Sequence, residues 1–317
     1  MTEAQGEVFD LGYRRYEGPR EGRMRARKAL WVNGVRTALG IGRPLGAKVI
    51  PAFLFIAVMI PAVIVSMVAT QPNVDVIRHD GYYQIVSMIL ILFSAIIAPE
   101  LLCPDRRDGV ISLYLVRPMT TTDYVAARWM AFLTVTLGIV LAGQIVLFVG
   151  LVLAATEPLE YMKDNWLDVP RFMLAGLVVA AFTTAIPLAV SAFTTRRAYA
   201  TSIIMGLFII SLPVAGILSL CGEDETVAVQ GGKETVVTQK CEPATGDAAK
   251  WYALLAVGQV PSFVNDLIFP GQTDEGIFKE FSLVVAELPD AVPIGWYLIL
   301  TIGPGLALLW RYRRISV

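Results

Sequence analysis

Residues suited to acid–base, nucleophilic or metal chemistry are few in this sequence, and their spacing does not assemble them. One histidine, His79, and three cysteines, Cys103, Cys221 and Cys241, stand among 317 residues. His79 lies in a short polar stretch between two apolar runs and reads as an exposed outer-loop side chain. A single imidazole without clustered partners is a poor metal site, so no metal is expected. No HExxH, CxxC or Ser-His-Asp grouping can be built around it. The stretch Gly40-Ile41-Gly42-Arg43-Pro44-Leu45-Gly46-Ala47-Lys48 is glycine-rich like a phosphate-binding loop. Its spacing departs from G-x-x-x-x-G-K-[ST], and no Ser or Thr follows Lys48. These glycines and the proline suit a turn entering the next segment instead. On this reading the chain hydrolyses no ATP by itself, is not an enzyme, binds no cofactor directly and has no nucleic-acid partner.

Apolar surface is what the sequence has in abundance. Hydrophobic residues make up 56% and charged residues 17%, against about 25% charged in soluble domains, and the mean hydropathy is +0.62. A soluble fold of this composition would lack the polar residues to cover itself. A bilayer core of about 30 Å takes about 20 apolar residues per helix. Val49–Thr70, Tyr82–Leu102, Val125–Thr156, Arg171–Phe193, Ala198–Leu220 and Ala291–Trp310 meet that length. They predict an all-α integral membrane protein with six transmembrane helices. The third run exceeds the bilayer thickness, so it is expected to tilt or project. Residues 1–28 are hydrophilic and contain no apolar run ending in a cleavage site, so no signal peptide is read there.

Trp251–Phe269 is fairly apolar but holds Gly258, Gln259, Pro261, Asn265 and Asp266. Counting it as a seventh span would put the two termini on opposite sides. Lys and Arg favour short cytoplasmic loops, and six spans with the N-terminus inside place 19 of the 26 basic residues there. The outer segments 71–81, 157–171 and 221–290 then carry 7 basic residues against 18 acids. This predicts cytoplasmic N- and C-termini, with Trp251–Phe269 an interfacial or re-entrant element. The resulting division is a cytoplasmic segment over 1–48, a six-helix membrane domain over 49–310 and a cytoplasmic tail over 311–317. The large outer loop, 221–290, falls between helices five and six. It contains Cys221 and Cys241, which a disulfide would join across about 20 residues for about 3 kcal/mol in an oxidising compartment; two free buried cysteines are the other reading. Cys103 falls inside and is expected to stay a thiol.

Within 24–48, Leu30, Trp31, Val35, Ala38 and Leu39 recur at helical spacing, with Arg27, Lys28 and Arg36 elsewhere. Such a stripe suits a helix in the cytoplasmic leaflet beside anionic headgroups, or a helix packed on protein. Ionisable residues inside spans are costly and usually functional, and these spans read as essentially free of them. The path for a substrate is therefore expected to be lined by neutral groups such as Gln144, Thr183, Thr184 and Ser202.

The connection between the second and third spans, Ala98 to Tyr124, carries the densest signal. Asp105, Arg106, Arg107 and Asp108 crowd before Gly109, and a short apolar helix, Val110–Val116, runs toward Pro118. Proline excludes helical geometry from the residue before it and so ends that helix. Thr122 or Asp123 is placed to cap the third span. A short apolar element rimmed by charge suits docking into another protein, or contact with lipid headgroups.

The pattern P-E-x-x-x-x-D-R-x-x-G-x-x-x-x-x-L-x-R-P-x-(T/S)-x-x-x-Y, met here by Glu100, Asp105, Arg106, Gly109, Leu115, Pro118 and Tyr124, resembles the loop of ABC type-2 transporter permeases. The resemblance implies an amphipathic N-terminal elbow helix, six spans and a coupling loop over 103–124 that seats in a nucleotide-binding subunit. It implies that Glu100, Asp105, Arg106, Arg107, Asp108 and Gly109 serve that coupling, together with Val110, Leu113, Leu115, Pro118 and Tyr124. ATPase subunits holding ATP and Mg, a second permease copy or homologue, and membrane lipids are the implied partners. An exporter of the plasma membrane is the implied role, multi-pass and bacterial in style. Arg128 stands near where many members have Lys, and the cysteine pair is not a general family feature. A force-transmitting membrane subunit without a substrate path, and a lipid-modifying membrane enzyme, are the alternatives.

Overall fold

The computed structural model describes residues 22–69, 78–111, 114, 119–219, 225–230, 233–238, 246–270 and 278–315. Helix α1 (Arg23–Ala38) is followed by α2 (Leu45–Val68), α3 (His79–Arg107), α4 (Thr121–Ala154), the short α5 (Pro158–Asp164), α6 (Asp168–Phe193) and α7 (Arg197–Ser219). After the outer segment, α11 (Ala291–Ile315) closes the described chain. Six of these helices, α2, α3, α4, α6, α7 and α11, are long and apolar enough to cross a membrane. The protein is a multi-pass membrane protein. The 34 residues of α4 rise about 51 Å at 1.5 Å each, more than a hydrocarbon core requires.

The helical stripe over 24–48 does not run through. It stops at Ala38, where Gly40 (φ 68°) and Gly42 (φ 83°) adopt left-handed geometry. The Ile41 N–H reaches back to the Arg36 carbonyl at 2.8 Å, closing the helix in the manner glycine permits. The buried face of α1 is Leu30, Gly34 and Ala38, and it packs chiefly against α4. A Cβ added at Gly34 would lie 2.6 Å from the Ala131 Cβ, so only glycine permits this approach. Trp31 donates to the Thr134 hydroxyl at 3.3 Å.

Two helices form the centre. In α3 and α6, 61% and 72% of the apolar window is buried, against 17–33% in the other four spans. One apolar cluster lies among α2, α3, α4 and α6; a second joins α6 and α7 to the outer segment. The outer segment differs from the all-α expectation in one respect. Glu225–Gln230 (β1) pairs antiparallel with Lys233–Thr238 (β2), where threonine and valine supply β-branched residues. Trp251–Phe269 does not span: it breaks into α8 (Ala249–Ala253), a 3₁₀ turn at Val257–Gln259 and α9 (Val260–Ile268), with α10 (Lys279–Val285) following. Gly258, Pro261 and the polar residues between them forbid one apolar rod. Cys221 and Cys241 lie outside the described residues.

Candidate functional site

The last two turns of α3 carry the charges singled out above, and four other parts of the chain hold them. Glu100 accepts from Arg43 in the turn before α2 at 2.8 Å, and from Arg197 at the start of α7. Asp105 accepts from the Tyr124 hydroxyl at 2.6 Å and pairs with Arg128 at 2.5 Å, both on α4. Arg128 is 3% exposed and Tyr124 1%, so this is a buried ion pair closed by a phenol. Arg106 donates to the carbonyls of Ala192 and Thr194. Those carbonyls end α6 without intrahelical partners, where a cation also meets the negative end of the helix dipole. The Cys103 thiol, free and buried, adds contacts to the Ser191 and Thr194 carbonyls at 3.7 and 3.6 Å.

Beyond this anchored stretch the chain turns outward. Gly109 has φ 67° with open space where a Cβ would stand. Arg107 and Asp108 pair with each other at 2.9 Å and stay more than half exposed. The coupling set thus divides into Glu100, Asp105, Arg106 and Tyr124, which are engaged within the fold, and Arg107 and Asp108, which face out. Val110 opens a helical turn, its carbonyl accepting from the Tyr114 N–H at 3.3 Å, and Ile111 and Met119 are buried. Leu113, Leu115 and Pro118, with the rest of the apolar helix, lie outside the described residues.

The start of α4 is capped two positions before Thr122 and three before Asp123, the residues expected to cap it. Thr120 is the cap, accepting from the Asp123 N–H at 3.3 Å, while the Asp123 carboxylate accepts from the Thr120 N–H at 3.0 Å. This is a reciprocal capping box, with aspartate at the third helical position. Asp123 also binds Arg23 at 2.5 Å and Arg27 at 3.6 Å, tying α1 to the same corner.

The neutral residues proposed for the path occupy two kinds of place. Gln144, Thr183 and Thr184 are buried inside the helix packing. Thr183 and Thr184 donate to the carbonyls of Val179 and Ala180 at 2.8 and 2.7 Å, and Thr184 meets the Thr136 hydroxyl at 3.2 Å. Ser202 is exposed on α7.

At the other end, sequence reading placed His79 wrongly. It is not an exposed loop residue: α3 begins at His79, which is 2% exposed. Its Nδ1–H donates to the Gln144 Oε1 at 2.8 Å, and the Gln144 amide returns to the His79 carbonyl at 3.3 Å. Phe148, Phe172 and Phe269 surround the ring at 5.7–6.2 Å between centroids. The cause is the cage, which three distant segments assemble, so no local pattern announces it. Asp80, in the next position and in the first turn of α3, is fully buried as well. The Gln84 amide donates to Asp80 at 3.3 Å. Asp266 on α9 meets Asp80 and Ser282 by hydrogen bonds, and burial pushes its carboxyl up to about 6 against them. Among the described residues, no group of three or more His, Cys, Asp or Glu side chains is arranged to hold a metal.

None of the curated proteins compared with the chain matches it. A family profile described as ABC-2 family transporter protein matches residues 28–273. That stretch takes in most of α1, five of the six spans, the anchored end of α3 and most of the outer segment. The match extends over well more than half of the sequence, and the chain belongs to the ABC-2 transporter family as a membrane permease component.

Proposed function

We propose that this permease is an exporter subunit driven by separate ATPase subunits, which hold the ATP and Mg and grip the segment after α3. Two permeases, identical or related, enclose the substrate path between them. Both termini, the end of α3 and the loop between α6 and α7 face the cytoplasm, because the arginines collect there. The outer segment with its hairpin faces the opposite side of the plasma membrane. A neutral path bearing threonine and serine hydroxyls suits a lipid-linked molecule, a hydrophobic drug or a peptide.

One observation carries this reading. The exposed Arg107–Asp108–Gly109 tip continues directly from a helix end that is bound to α4 and α6 and to the segments leading into α2 and α7. A push on the tip therefore reaches most of the bundle without passing through a flexible linker. Glu100, Asp105 and Arg106 act as the rivets of that lever; Arg107, Asp108 and the apolar segment after Gly109 act as its contact surface. Replacing Gly109 by valine puts a β-branched residue at φ 67°, a geometry that strongly disfavours it. In the complex reconstituted with its ATPase, Gly109→Val should leave the permease folded and abolish stimulation of ATP hydrolysis. Unaltered coupling in that variant would overturn the assignment. A reporter fused after Arg314 should stay in the cytoplasm.

A further inference from the structure

Between the turn that follows α1 and the ends of α3 and α4 lies a cavity of about 410 Å³, within the size range of small-ligand sites. Asn33, Arg36 and Thr37 from α1, Arg43 from the turn, and Arg128 from α4 line it, together with Glu100 and Asp105. Its charge balance is basic. Arg36, Arg43 and Arg128 set three guanidinium groups against two carboxylates. Both carboxylates are already engaged, Glu100 by two arginines and Asp105 by Arg128 and Tyr124. Arg36 is exposed and holds no ion pair among the described residues.

Arg128 is the second, independent observation. Only its Nη2 is used, on Asp105. Its Nε and Nη1 are buried and find no hydrogen-bond partner, although the residue is 3% exposed. An arginine carries five N–H donors in a rigid fork, and buried donors left unmet are costly. Unmet guanidinium donors at the wall of a polar, net-positive cavity suit the several acceptor oxygens of a tetrahedral phosphate group.

We propose that this cavity is a phosphate-binding site, in which Arg128 and Arg36 grip a phosphate oxyanion from two sides while Asn33 and Thr37 complete its hydrogen bonds. Two sources share that chemistry: the headgroup of an anionic phospholipid, and a free phosphate anion. The site stands apart from the tip that the ATPase is proposed to grip, so its failure would leave the coupling reading intact.

The test uses the full chain in nanodiscs of phosphatidylcholine. Phosphatidylglycerol is titrated into the bilayer in one arm and inorganic phosphate into the buffer in the other, with chloride at matched ionic strength as the blank. Saturable binding, followed by the thermal unfolding midpoint, is expected in one arm. Arg36→Gln should weaken it about tenfold, as the loss of one charge-assisted bond does. Lys28→Gln makes the same charge change on an exposed part of α1 and should weaken it less than about twofold, the size of a screened surface effect. Saturation by phosphatidylglycerol assigns the site to the leaflet; saturation by phosphate alone assigns it to a soluble anion. No saturable binding in either arm, or equal losses in the two variants, overturns the proposal.

Discussion

The two ends of the bundle bury charge in opposite ways. At the arginine-rich end every buried carboxylate has a cation: Asp105 has Arg128, and Asp123 has Arg23 and Arg27. At the other end Asp168 pairs with Arg171 at 3.4 Å, but Asp80 and Asp266 have each other, with Ser282 and Gln84 beside them. Two carboxyl groups joined by a hydrogen bond need a proton between them, whereas a carboxylate beside a guanidinium needs none. The first end is therefore held by fixed charge, which responds to removal of a partner. The second is held by a proton, which responds to pH. The first arrangement is the one that the proposed lever at the end of α3 calls for.

Breaking the fixed-charge end should have the largest effect. Asp105→Ala leaves Arg128 buried without its counter-charge and Tyr124 without an acceptor, a change of about 3–5 kcal/mol in comparable buried pairs. Unfolding in detergent, followed by fluorescence-detected gel filtration, should show little folded protein. Asp105→Asn keeps an acceptor for the phenol and should fall between that variant and the parent. A parent-like midpoint for Asp105→Ala would mean that the pair contributes little and that Glu100 and Arg106 anchor α3.

The proton-held end should answer to pH instead. With the folded Asp266 carboxyl up to about 6 and an ordinary aspartate near 3.9 when unfolded, the folded state holds its proton more tightly. The stabilising contribution is fully present below about pH 4, is lost as pH rises through 6, and is gone above about 7. A shift of about two pK units corresponds to roughly 2–3 kcal/mol across that window. Asp266→Asn keeps the hydrogen bonds without the titration, so the midpoint of the parent should fall relative to that of the variant as pH rises from 4 to 7.5. Parallel curves for the two proteins would remove the shared proton from the account.

How far each end was legible follows from the range of its causes. The arginine-rich end is marked in the sequence by the charge crowding before Gly109, within the one stretch from Glu100 to Arg128, although its partners Arg43, Arg197 and Arg23 lie 57, 97 and 100 positions from the carboxylates they bind. What sequence could not show was the division within that crowd. Arg106 and Arg107 are neighbours of one type, yet one binds the end of α6 and the other faces out, a difference set by helical phase and by where α6 stops. The six spans were legible from length and hydropathy alone, although the start of α3 was set three residues late, at Tyr82. That small error hid the opposite end: His79 and Asp80 read as loop because their partners, Gln144, Phe172, Phe269 and Asp266, come from segments 65 to 190 positions away. Polar character argued for exposure, and tertiary contacts overrode it. The one advance sign was Gln144, a polar residue inside an apolar run and hence in need of a partner.

That partnership gives a smaller effect with a sharper reading. Gln144→Leu leaves the His79 Nδ1–H without its acceptor, and a stranded buried donor costs about 1–3 kcal/mol. Replacing both groups, in His79→Phe with Gln144→Leu, removes the stranded donor and fills the aromatic cage with a fourth apolar ring. The double variant should therefore recover most of what the single variant loses, a coupling visible in a thermal double-mutant cycle. Simple addition of the two losses would show that the histidine contributes through some contact other than Gln144.

The smallest stability effect belongs to the exposed tip, and that smallness is itself informative. Arg107 and Asp108 are paired but more than half exposed, and such ion pairs are worth well under 1 kcal/mol. Arg107→Ala should shift the unfolding midpoint by no more than about 1–2 °C, since about 0.3 kcal/mol moves a chain of this size by that amount or less. The same variant should reduce co-purification of an ATPase subunit with the tagged permease, because the side chain lies where a partner can reach it. Asp105→Ala is the contrasting case, in which assembly fails because the fold fails. If Arg107→Ala lowers the midpoint as far as Asp105→Ala does, the tip belongs to the anchored part of α3 and the contact surface must lie beyond Gly109.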